Sequence, residues 1–242
     1  MLQQFLTSLH SWGIWLIVIG GMLLSVLFKK LTPAAALTGG LVSIGVFAGA
    51  GYTGIWMMAT FFLTGVLVTA WKLDTKQRNG LAETDKGKRK AGQVLANAGA
   101  PALLGLLVYR NYLQEDMAHL MIAACFASAT ADTVSSELGN IYGTRFYNIL
   151  TLRKDERGLN GVISIEGTLC GLCGSLLIAL IYAAGFGFSS QIIIIIIAGT
   201  AGNLMDSILG GTLERKHWLN NNAVNFLNTC FAAVVAFSLL IL

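Results

Sequence analysis

Charge is scarce in this sequence, and most of the arrangements that charge builds are missing with it. Only 12% of the 242 residues are Asp, Glu, Lys or Arg, about half the share of a soluble domain. That excludes a water-soluble globular fold. Proline is nearly absent as well, with two residues against 28 glycines, a balance suited to helices that pack closely through small residues. No G-x-x-x-x-G-K-[ST] or G-x-G-x-x-G occurs, so P-loop and Rossmann nucleotide chemistry are excluded. The three histidines, His10, His119 and His217, sit with no Ser/Asp partner set and form no metal-ligand spacing, which excludes a Ser-His-Asp hydrolase and a histidine-rich metal centre. Cys125, Cys170, Cys173 and Cys230 all lie inside apolar runs, and the Cys170-x-x-Cys173 pair has no second pair. Such cysteines behave as small packing residues. No basic residue precedes the first apolar run and no small-residue cleavage site follows it, so the first helix is expected to be retained.

What is present is hydrophobic length. With 55% apolar residues and a mean hydropathy of +0.69, the chain divides into runs near the length that crosses a bilayer. The expected architecture is all-α: a single polytopic transmembrane bundle over 1–242 of about eight spans. These are placed at 10–28, 34–50, 54–71, 92–109, 117–138, 162–185, 190–210 and 222–241. The second and third are joined by Gly49-Ala-Gly-Tyr-Thr-Gly54 and could instead form a re-entrant hairpin, which lowers the count to six.

Alternate connections hold 15 of the 16 basic residues, from Lys29 and Lys30 through Lys72–Lys90 and Arg145–Arg157 to Arg215 and Lys216. The other side keeps only Arg110. The positive-inside rule places the four basic connections in the cytoplasm and both termini outside. This accounts for the formal charge of +4 without a nucleic-acid partner.

Polar residues gather at the cytoplasmic ends of the later spans. Gln93 and Asn97 share a helix face, as do Ser128, Asp132, Ser135 and Gly139; Asn203, Asp206, Ser207 and Gly210; and Asn221, Asn225 and Asn228. All follow three-and-four spacing. Caps and helix-linking amides produce such stripes too. Carboxylates among them are costly in a membrane and mark a functional site. Arg89 and Lys90 abut the polar start of the fourth span. The segment Gly158-Leu-Asn160-Gly161-Val-Ile-Ser164-Ile-Glu-Gly167-Thr168 opens the sixth, where unpaired backbone N–H groups favour phosphate. Gly167 and Gly171 also form a G-x-x-x-G suited to close helix packing.

Three motifs carry a resemblance. Asp132-Thr-Val-Ser-Ser-Glu137-Leu-Gly, the Lys88–Gly99 run and Gly158–Thr168 resemble an integral-membrane family that includes the plant phytyl-phosphate kinase of tocopherol synthesis. More distantly they are similar to CTP-dependent dolichol and phytol kinases. The resemblance covers about Lys86 to Gly211, and the catalytic half is expected at 86–242. It implies phosphoryl transfer from a nucleoside triphosphate, with CTP expected, to an isoprenyl monophosphate, giving the diphosphate at the membrane face. Asp132 would hold Mg²⁺, with Glu137 as a second ligand or general base, and Asp132, Glu137 and Asp206 are the expected catalytic carboxylates. Nucleotide and phosphate contacts would come from Arg89, Lys90, Gln93, Asn97, Arg145, Asn160, Gly161, Ser164, Gly167, Thr168, Asn203 and Asn225. The chain departs from the pattern at Thr144-Arg145-Phe146, where glycine and lysine are expected. A lipid-alcohol kinase, a cytidylyltransferase and a transporter of a small anion are the alternative readings. The sequence is silent on oligomeric state.

Overall fold

The computed structural model describes residues 12–82 and 87–242; His10 and Lys86 lie outside them. Eight helices are numbered here in chain order: α1 Trp12–Leu27, α2 Pro33–Ala70, α3 Leu73–Arg78, α4 Ala91–Tyr109, α5 Glu115–Tyr142, α6 Ile165–Phe186, α7 Gln191–Leu209 and α8 Asn221–Ile241. A two-stranded antiparallel ribbon pairs β1 (Tyr147–Asn148) with β2 (Val162–Ile163). Six helices are long and apolar enough to cross a membrane, and Gly13–Leu27 is a shorter apolar helix.

The long α2 answers the question that Gly49–Gly54 leaves open. At Gly51 the backbone takes φ 54°, ψ −146°, a combination reserved for glycine, and the chain doubles back. A Cβ placed on Gly54 would stand 3.1 Å from the Val46 carbonyl oxygen. A straight helix separates residues eight apart by about 12 Å. Phe62 likewise packs on Leu31 and Ala36. The second and third expected spans are thus the two arms of one helical hairpin. The six long helices and the short one thereby supply eight apolar segments.

Local signals start the helices where the chain requires it. Thr32 Oγ1 accepts from Ala35 N at 3.1 Å with Pro33 behind it, Ser164 Oγ accepts from Gly167 N at 3.1 Å, and Asn220 Oδ1 accepts from Ala223 N at 2.9 Å. Each satisfies an N–H that the first helical turn cannot.

The bundle is built around α5, 72% of whose apolar window is buried against 28% for α7. Glycines bring its neighbours to backbone contact. On α6, a Cβ at Gly167, Gly171 or Gly174 would meet the carbonyl oxygens of Ser135, Ala131 and Thr130 at 2.8, 3.0 and 3.2 Å. Gly45 of α2 lies against Ala102, and Gly49 against Gly105 of α4. In hydrocarbon such contact replaces the hydrophobic force between helices.

The same pairings bring the four basic connections together at one end. Residues 30–32 bridge to Arg89, Gly92 touches Asn222, Gly139 touches Gly167, and Gly161 touches Gly211. The connections around Gly51, Arg110 and Gly187 end the opposite face.

Candidate active site

At the basic end the polar stripes of α4, α5, α7 and α8 close around a cavity of about 240 Å³. The loop Gly158–Ser164 forms a fifth wall. Asp132 and Ser135 come from α5, Asn203 and Asp206 from α7, Asn221 and Asn225 from α8, and Gln93 and Asn97 from α4.

The carboxyl groups of Asp132 and Asp206, on different helices, come within hydrogen-bonding reach of each other. They repel unless a proton or a cation is held between them. Amides fix the orientation of Asp206: Asn228 Nδ2 donates to its Oδ1 at 2.6 Å, and the Asn225 amide, nitrogen turned inward, donates to the same oxygen at 3.1 Å. Asn228 is held in turn by Ser128 Oγ, which donates to its Oδ1 at 3.1 Å. Ser135 Oγ donates to Asn203 Oδ1 at 3.0 Å, tying α5 to α7 beside the pair. Buried amides and hydroxyls satisfied in this way fix one geometry for the carboxylates.

Two helix starts face the cavity. In α4, Gln93 Oε1 accepts from Lys90 N at 2.8 Å. In α6, Ser164 caps the first turn, and Gly161 precedes it at φ +76°. A Cβ on Gly161 would lie 2.8 Å from the Ser207 carbonyl oxygen and 2.6 Å from Gly211 N. Only glycine lets this loop reach α7. The segment Gly210–Glu214 is a π-helical turn, a geometry frequent at functional sites. It turns Glu214 onto the cavity wall, hydrogen-bonded to Asn160. Below the loop, Asp155 accepts from Asn148 Nδ2 and from Arg215 Nη2, each at 3.0 Å. With the Asn148 bond first, the Glu156 N–H next and Arg215 after it, these hold its carboxyl down at about 2. Arg215 Nε also donates to the Asn160 carbonyl at 2.6 Å, so this cluster sets the loop against the π turn.

Arg89 is the one cation on the cavity wall among the described residues. Its guanidinium lies 5.0 Å over the Phe61 ring and against Gly65, where a Cβ would collide with it.

Residues 16–233 match the family described as Integral membrane protein DUF92. The chain belongs to this family. Over 226 residues it is 30% identical to Protein VTE6, chloroplastic, of Arabidopsis thaliana, covering 90% of this chain and 67% of that protein. It is 31% identical over 211 residues to an uncharacterized membrane protein of a Synechocystis strain, covering 86% and 82%. With an uncharacterized membrane protein of Methanocaldococcus jannaschii it shares 34% over 185 residues, covering 76% and 75%. No solved structure matches the chain.

Within this DUF92 bundle the expected site residues separate into two groups. Asp132, Asp206, Arg89, Gln93, Asn97, Asn160, Gly161, Ser164, Gly167, Thr168, Asn203 and Asn225 line one cavity. Glu137, Lys90 and Arg145 do not. Glu137 faces away, and its Oε2 accepts from Lys76 Nζ at 2.5 Å in a buried ion pair. It is therefore not placed to share a metal with Asp132. Lys90 and Arg145 are exposed outside the cavity, as is the Arg153–Lys154 pair. At the wall itself carboxylates outnumber cations among the described residues: Asp132, Asp206 and Glu214 face Arg89 alone. Glu214 and Asn228 are additions to the expected site. Glu214 continues the Asp206–Gly210 stripe by one more step of four, a signal the glycines obscure.

Proposed function

We propose that this protein is a membrane phosphotransferase that moves a phosphoryl group from a nucleoside triphosphate, with CTP the expected donor, to an isoprenyl monophosphate. The observation that carries the reading is the Asp132–Asp206 pair at the floor of a cavity rimmed by two helix starts and Arg89. The resemblance to the phytyl-phosphate kinase branch supplies the substrate class, and the membrane-embedded fold suits a lipid-tailed acceptor.

The donor set fits Mg²⁺: two convergent carboxylates with amide and hydroxyl oxygens nearby, the oxygen-only environment this ion takes when phosphates complete its shell. Among the described residues no cluster of three or more His, Cys, Asp and Glu is available for a metal. When bound, the ion would neutralise phosphate charge between Asp132 and Asp206.

The residues divide the remaining work. An oxygen of the acceptor phosphate attacks the γ-phosphorus, and the bond to the β-phosphate oxygen breaks, leaving the prenyl diphosphate and the nucleoside diphosphate. A phosphate monoester is already largely ionised at neutral pH, so the chain need not supply a general base. Arg89 holds the acceptor phosphate, and the N–H groups opening α4 and α6 neutralise equatorial charge. Asn225 and Asn228 hold the Asp206 carboxylate against movement, so that positioning, which dominates phosphoryl transfer, is built in advance. By the charge asymmetry of the connections this end faces the cytoplasm.

The test is direct. Purified protein with Mg²⁺ and γ-labelled CTP, UTP, GTP or ATP is given farnesyl, geranylgeranyl and phytyl monophosphates and the matching alcohols. Labelled prenyl diphosphate is expected from the monophosphates. Turnover of alcohols alone would move the protein to the lipid-alcohol kinases, and no turnover by folded protein would favour a transporter.

A further inference from the structure

A second cavity, of about 500 Å³, opens between α1, both arms of α2 and α4. Its wall is apolar almost throughout. On α1, Ile17, Gly21 and Leu24 present one face at helical spacing, continued by Phe28 just past its end, opposite Met58 and Phe62 of the second α2 arm. Two observations tie this groove to the polar cavity. Arg89 lines both. Along α4, Gln93 and Asn97 face the polar side while Val94 and Ala98, one position further round, face the groove. Lys30 stands at the same end of the groove as Arg89, while the rest extends into the bundle's apolar depth. A long apolar slot with cations at its mouth, continuous with a polar cavity, is complementary to an amphiphile with one anionic head.

We propose that this groove holds the hydrocarbon chain of a prenyl monophosphate, with Arg89 at the junction where chain ends and phosphate begins. The assignment rests on the phosphotransferase reading above and adds to it where the tail lies and what selects it. A chain leaving lipid for this groove gains little hydrophobic free energy, because both surroundings are apolar. Selection therefore comes from fit, and filling the groove should exclude the chain.

Two glycines make the test clean. Gly39 lines the groove, and a Cβ there meets nothing within 4 Å, so Gly39→Trp projects into open space. Gly20 is equally unobstructed but lies off the groove, and Gly20→Trp is the control. A geranylgeranyl monophosphate carrying a diazirine on its terminal isoprene is photolysed with the protein in phosphatidylcholine nanodiscs, without nucleotide. Adducts are mapped by mass spectrometry. They are expected on α1 and the α2 arms, at Met22, Met58 and Phe62. Gly39→Trp should lower their yield about tenfold or more, the discrimination a fitted apolar pocket gives, and Gly20→Trp should not. Adducts spread evenly over the lipid-facing surface, or equal loss in both variants, would overturn the assignment. So would competition by phosphatidic acid as effective as that by unlabelled prenyl phosphate, since the groove would then be a general phospholipid site. Groove adducts without turnover in the kinase assay would leave the tail site standing and remove the proposed reaction. Turnover with scattered adducts would do the reverse.

Discussion

Replacing Glu137 with Gln separates a folding role from a catalytic one. Lys76 lies in the short α3 helix, which follows a left-handed Lys72, and its side chain is only 2% exposed. Its three N–H donors are fully used: by the Val68 carbonyl at 3.0 Å, the Thr69 carbonyl at 2.7 Å and Glu137 Oε2 at 2.5 Å. Glutamine keeps an acceptor near the third position but leaves the ammonium without a counter-charge. Breaking one side of a buried ion pair costs about 3–5 kcal/mol, and the two remaining carbonyls place this case at the lower end. For a chain of this size about 3 kcal/mol corresponds to a midpoint roughly 6–12 °C lower. The α3 segment should loosen first, because Trp71 and Lys72 meet the α5 end through the Tyr142 hydroxyl and ring, which are exposed. The assay is tryptophan fluorescence against temperature in nanodiscs, with trypsin cleavage between Lys72 and Arg78 as the local readout. Turnover per folded molecule should stay within about threefold of the parent, since Glu137 touches nothing in the cavity. An unchanged midpoint with lost turnover would refute this reasoning and return Glu137 to the catalytic set.

Asp132→Asn and Asp206→Asn should behave oppositely, losing about 10²–10³-fold or more in turnover while the melting midpoint moves by only a few degrees. A variant of either that keeps activity would reduce the pair to helix-linking polar residues. Gly65→Val places a side chain where the Arg89 guanidinium sits. It should raise the KM for prenyl phosphate about tenfold, the weight of one charge-assisted contact, with kcat less affected; an unchanged KM would remove Arg89 from acceptor binding. Asp155 is held at about 2 in the folded chain, below its usual value near 4. Its contribution to loop order is therefore present above pH 4 and lost as pH falls through 2. Pepsin cleavage within 147–163 should accelerate across that interval in the parent and much less in Asp155→Asn, and identical profiles would show that the cluster does not order the loop.

The cavity was legible where helical periodicity alone decides position. Asp132, Ser135, Asn203, Asp206 and Asn225 are placed by three-and-four spacing, and tight glycine packing preserves the register that spacing assumes. Glu137 misled because a motif reads as one patch, whereas five residues along an α-helix turn a side chain by about 140°. Its partner lies 61 residues away on a surface connection, and nothing in either local sequence announces the pairing. The break in α2 was legible, because Gly49–Gly54 separates two apolar runs. The backbone angles at Gly51 and the packing of Gly54 on Val46 show the reversal there. Loop cations misled for a different reason. Their abundance follows from membrane topology, so it carries no information about which of them reach the cavity.

That last distinction bears on the chemistry. The connections are rich in Lys and Arg, yet the cavity wall carries three carboxylates and one arginine. A permanent phosphate cradle would have the opposite balance. An acidic, amide-lined pocket is poorly suited to bare phosphate and well suited to phosphate that arrives with a divalent cation, as a nucleoside triphosphate does in Mg²⁺ solution. The basic connections then serve at longer range, drawing anionic nucleotide to this end of the bundle by a field that salt screens. Arg89 is the exception, carried to the wall by the bridge between residues 30–32 and the start of α4. On the proposed function it serves the acceptor side, because the groove that meets it is apolar. On this reading donor and acceptor approach the Asp132–Asp206 pair from different phases, one from water through the Gly158–Ser164 loop and one from lipid past Arg89. In the proposed reaction they would stay apart until their phosphates meet.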